Sequence, residues 1–146
     1  MKNKLLRGLL TAALCAIACL SLAACGPFEG YDDDQTILNT RGSSTVGAVE
    51  NHNKERLTFS AVTFNGVKAV KNDAALPENP VFTLEFELKE GRCKLILIKD
   101  GAVHTVTEES VNGTVAAEVP AGSYDIKLVG ENAKLELTFY FTDYKE

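Results

Sequence analysis

Candidate chemistry in this chain centres on four cysteines, two histidines, a run of three aspartates and a few tyrosines. His52 and His104 stand alone, with no His-x-His or Cys-x-x-Cys spacing, whereas zinc sites gather three or four such ligands. Both are expected as solvated surface residues, and no metal site is assigned. Asp32-Asp33-Asp34 has the oxygens a hard cation wants, but a calcium loop needs acids at alternate positions and glycine at the sixth, which here is Ile37. The run reads as solvating charge in a linker. Nucleophilic catalysis needs a Ser or Cys beside a base. There is no Gly-x-Ser-x-Gly, and Cys93 opens a run of strand residues, where a small buried apolar role is expected. No catalytic residue is assigned, and the chain is read as a non-enzyme. Sugar recognition would call on exposed rings. The chain has no Trp, but Tyr140 should face outward on the last strand and Tyr144 follows it, forming one small platform if they do not simply cover the sheet.

The cysteines divide differently. Lys2, Lys4 and Arg7 form a positive n-region, Leu9 to Ala24 form an apolar run broken only by Thr11 and Ser21, and Leu22-Ala23-Ala24-Cys25 closes it. This arrangement is that of an export signal, and the last four residues resemble the lipobox of bacterial lipoproteins. Cys15 follows the bulky Leu14, and Cys19 follows the weaker Ala16-Ile17-Ala18. The resemblance implies diacylglycerol on the Cys25 thiol, cleavage between Ala24 and Cys25 by lipoprotein signal peptidase, and a new amino group open to acylation. No cofactor is expected beyond that covalent lipid. Two or three acyl chains anchor firmly, because each buried methylene contributes about 0.8 kcal/mol. Cys93 would then be the sole remaining thiol, so no internal disulfide is expected and the core must hold the domain together.

Length allows one domain. The expected division is a signal peptide over 1–24, the lipidated Cys25 with a flexible tether over 25–55, and a folded domain over 56–146. Residues 26–55 are rich in Gly, Asp, Asn, Ser and Thr, a composition that buries too little apolar surface to offset ordering entropy. Thirty flexible residues reach about 30 Å. A short strand near Thr45 to Val49 fits within them. Of the 15 basic residues three precede Cys25, and all 20 acidic ones follow it. The mature body is therefore acidic, about −8, which disfavours nucleic acid.

From Leu57 onward apolar and polar residues alternate with a period of two. Phe82, Leu84, Phe86 and Leu88 alternate with Thr83, Glu85 and Glu87; Leu135, Leu137, Phe139 and Phe141 alternate with Glu136, Thr138 and Tyr140. Such strands bury one face and wet the other. Leu95-Ile96-Leu97-Ile98 is apolar on both faces and reads as a central strand covered on both sides. Leu57 to Phe64 reads as a bulged strand. Turns are expected at Glu90-Gly91, Asp100-Gly101, Asn112-Gly113, Pro120-Ala121-Gly122 and Gly130-Glu131-Asn132. The fold class is all-β: an antiparallel two-sheet β-sandwich of seven or eight short strands. Val119 to Leu128 carries a Pro-x-Gly-x-Tyr pattern and resembles the late turn-strand of fibronectin-III-like and carboxypeptidase-regulatory-like sandwiches, which implies that Tyr124 packs inward.

The resulting expectation is a lipid-anchored exported protein on the bilayer: the cell surface in a single-membrane cell, or the outer membrane in a two-membrane cell, since Gly26 is not the Asp of inner-membrane retention. Its partner is expected to be a protein or an envelope glycan. An accessory subunit of an envelope complex and a hydrolase with a site assembled from distant strands remain as alternatives.

Overall fold

The computed structural model of the protein describes residues 26–141. Ala24, Cys25 and Tyr144, and with them the expected cleavage and lipidation site, lie outside the described residues. The described chain is all-β and antiparallel: a six-residue helix α1 (Asp34–Asn39), then β1 (Ser43–Val46), β2 (Val49–His52), β3 (Arg56–Leu76), β4 (Val81–Lys99), β5 (Ala102–Thr107), β6 (Val111–Ala116) and β7 (Gly122–Tyr140). All seven strands belong to one hydrogen-bonded sheet in the order β1-β3-β7-β4-β5, with β2 also on β3 and β6 also on β4. The two sheets expected from the sequence are thus one sheet with a bend.

The bend follows from three long strands, β3, β4 and β7, of 21, 19 and 19 residues. Glu90-Gly91 and Gly130-Glu131-Asn132, expected as turns, lie inside β4 and β7. Gly66 (φ +105°), Gly91 (φ +74°) and Asn132 (φ +49°) adopt the left-handed backbone there. The pairing shifts register between Ala61 and Gly66 on β3 and between Leu88 and Arg92 on β4. An extra residue in one strand bends and twists it without ending the ladder. Gly130 lies in register with Gly66 on one side and Cys93 on the other, and the Phe64 ring lies where a Cβ of Gly130 would stand. Asn112-Gly113 is likewise inside β6, paired with Glu85 and Leu84. Asp100-Gly101 does form the tight hairpin, both residues having positive φ.

The bend divides the sheet into two arms. The first arm contains β2, β6 and the portions of β3, β4 and β7 that pair with them. The second contains β5 and the other halves of the long strands, with β1 against the bend. One buried cluster draws on both arms: Leu57, Phe86, Leu137 and Phe139 from the first, and Leu95, Leu97, Ile126 and Leu128 from the second. Tyr124 packs inward at the start of β7, and its hydroxyl donates to the Pro120 carbonyl at 2.8 Å.

The expected flexible tether is corrected over residues 28–52. This segment forms α1, β1 and β2, and its Tyr31 and Ile37 are buried against Val67, Ile96 and Val129 on the outer face of the second arm. Burying such side chains stabilises by about 1.5–3 kcal/mol each, and the β1 and β2 ladders on β3 add backbone hydrogen bonds along the rest of the segment. The aspartate run is not merely solvated. The Asp33 side chain caps α1, accepting from the Gln35 amide at 3.1 Å and from the Thr36 hydroxyl. Asp32 grips Arg92 with both oxygens at 2.6 and 2.7 Å. Asn65, 7% exposed, ties the segment to the bend: its Oδ1 accepts from the Phe28 and Asn132 amides.

Candidate functional site

The outer face of the first arm is open. Alternation along β3, β4, β6 and β7 puts every second side chain there, and the register aligns them in rows. Thr58, Thr138, Glu85 and Asn112 make one row across four strands, and Ser60, Glu136 and Glu87 make the next. Neighbouring strands lie about 4.8 Å apart and same-face residues about 6.7 Å apart along each strand. Together they line a shallow groove of about 600 Å³.

Its groups are hydroxyls, an amide and carboxylates fixed on a rigid sheet. Lys89 joins two carboxylates, 2.5 Å from Glu136 and 3.6 Å from Glu87, and the hydrogen bond to Glu136 holds its ammonium above its ordinary pKa. Tyr140 faces outward as expected, but its hydroxyl donates to Glu85 Oε1 at 2.9 Å, an interaction that raises its pKa. Glu85, Glu87 and Glu136 are exposed. Sequence reasoning places all three on wet faces without bringing them together, because strand register is not legible there.

The two histidines lie on opposite edges of the sheet, His52 on β2 beside the Phe141 ring and His104 on β5 opposite Leu97. Among the described residues no group of three or more His, Cys, Asp or Glu could hold a metal ion. Cys93 is buried, and burial pushes its thiol up to about 12, so it stays protonated at neutral pH and is a poor nucleophile.

A second constellation has no counterpart in the sequence reading. Tyr31 lies under Arg92, with the guanidinium carbon 4.0 Å from the ring centre, and Lys94 sits 4.6 Å from the same ring. Burial, then the nearby charge of Glu108, pushes the Tyr31 hydroxyl well above its ordinary range. These groups hold the N-terminal segment on the sheet. No protein-family model and no curated protein sequence matches this chain.

Proposed function

We propose that this is an exported lipoprotein, anchored through Cys25, whose β domain binds a protein or envelope polymer on the open face of the first arm without catalysing a reaction. The anchor rests on Leu22-Ala23-Ala24-Cys25 behind its basic and apolar segments. The observation that carries the binding reading is the row of Thr58, Thr138, Glu85 and Asn112, polar groups on rigid neighbouring strands over a groove that nothing in the described chain covers. Evenly spaced hydroxyls and acceptors suit an extended, hydrogen-bonding ligand such as a polysaccharide, with Tyr140 offering one ring at the end. A second reading, an accessory subunit docking on a partner, is favoured by the exposed Val46, Val49 and Val62 beside the β1 and β2 edge.

Two experiments test this. Labelled palmitate should enter the wild-type chain and not Cys25→Ser, which should remain at precursor length; incorporation into both removes Cys25 as the anchor. The soluble chain 26–146 should sediment saturably with isolated cell wall, less so with Tyr140→Ala. Stoichiometric capture of one membrane protein, with no wall binding, would favour the accessory subunit instead.

A further inference from the structure

The docked N-terminal segment changes how an anchor at Cys25 would hold the domain, and the membrane orientation drawn from it rests on that proposed anchor. Phe28 is fixed by its amide hydrogen bond to Asn65 at 3.3 Å, and Tyr31 and Ile37 are buried just beyond it. Only Gly26 and Pro27, both exposed, separate Phe28 from Cys25. Three residue steps span at most about 10 Å, so a lipid-bearing Cys25 in the head-group layer leaves no room for the roughly 30 Å of reach that a free tether would have.

We infer that the bend of the sheet is a bilayer-contacting surface, seated on lipid head groups with the second arm directed away from them. The surface around the anchor fits that partner. A concavity of about 470 Å³ there is lined by small uncharged residues, including Gly42, Ser43, Ser44 and Gly66, with Glu29 as the one carboxylate among its described lining. Exposed Arg41 adjoins it. The carboxylates of the bend beyond that concavity are each matched by a cation, Asp32 and Glu131 by Arg92 and Glu90 by Lys134, which tempers their repulsion of anionic head groups. The placement also limits the ligand. Ser60, on the rim of the first-arm groove, is five residues from Asn65 along β3, at most about 17 Å. The groove therefore reaches partners lying close to the membrane.

The test uses the full lipidated protein in vesicles carrying a nitroxide-labelled head group. Ser43→Cys by the anchor and Ala102→Cys at the far hairpin each receive a fluorophore, and buried Cys93 does not compete for it. Quenching at position 43 should exceed that at position 102 several-fold. A Gly-Ser spacer of about a dozen residues between Cys25 and Gly26 should abolish most of the difference while leaving the protein on the vesicles. Equal quenching at both positions in protein that floats with the vesicles overturns the seated orientation and leaves the anchor intact. Wild-type protein that does not float with the vesicles overturns the anchor itself, and the orientation with it.

Discussion

The two arms are continuous in every long strand, yet their outer faces have opposite fates. On the second arm the outward residues Val67, Ile96 and Val129 are apolar and are covered by Tyr31 and Ile37. On the first arm the outward residues Thr58, Ser60, Glu85, Glu87, Glu136 and Thr138 are polar, the glutamates exposed and the hydroxyl residues half-buried, and they line an open groove. The same strands, crossing one bend, change from a face that must be covered to a face that can meet water. The covered arm serves stability, and the open arm is the face proposed for recognition. This division of roles makes quantitative demands on substitutions.

The largest effect should come from removing the cover. Ile37 is fully buried, so Ile37→Ala leaves a cavity and should cost about 3 kcal/mol, read as a lower urea midpoint for the soluble chain 26–146. A loss below about 1 kcal/mol would mean the segment is not docked in solution, and the contrast between the faces would collapse. Next comes the bend that separates the faces. Gly130→Ala drives a methyl group into the Phe64 ring and should cost about 2 kcal/mol by overpacking. If the variant is as stable as the wild type, the close approach of Phe64 to β7 is not a constraint on the fold.

The same contrast separates what is legible in the sequence from what is hidden. The open face is visible because period-two alternation alone tells which side of a strand is wet, and it places Glu85, Glu136 and Tyr140 correctly. The bend is not visible. Gly91 and Gly130-Glu131-Asn132 have the residue types of a hairpin turn, but a left-handed residue inside a strand serves a bulge equally well, and only the pairing partner decides. The docked segment is hidden because Tyr31 and Ile37 lie in a mostly polar stretch, with no periodicity to mark them. One clue does exist. Leu95-Ile96-Leu97-Ile98 reads as covered on both sides, and the cover of its second side has to come from somewhere in the chain.

A smaller effect should attend the clasp that fastens that cover. The Arg92 hydrogen bond, with its charge, holds the Asp32 carboxyl below its ordinary value of 3.8. A carboxyl with a depressed folded pKa contributes stability that is fully present above its unfolded value and is lost as pH falls through the lower folded one. Wild type should therefore exceed Asp32→Asn in stability at neutral pH, with the gap closing below pH 3.8 and shrinking in high salt. Both groups are largely exposed, so solvent screening keeps the gap below that of either core change. A gap that persists unchanged into strong acid would show that Asp32 acts through packing instead of charge.

The smallest effect on stability is expected on the open face, and its smallness is the point. Thr138→Ala and Ser60→Ala each remove a hydroxyl that faces the groove, and each should alter stability by no more than about 0.5 kcal/mol. If the face exists for recognition, the same substitutions should weaken sedimentation with the wall fraction or capture of the membrane partner. The second arm predicts the reverse pattern: Val129→Ala, beneath Tyr31 and Ile37, should lower the urea midpoint while leaving binding by the folded fraction unchanged. Should Thr138→Ala destabilise the domain as much as Val129→Ala, the two faces would be equivalent parts of the scaffold, and the groove would lose its standing as a site. A polar residue that can be removed without harm to the fold is free to be selected for something else, and this pair of substitutions measures that freedom directly.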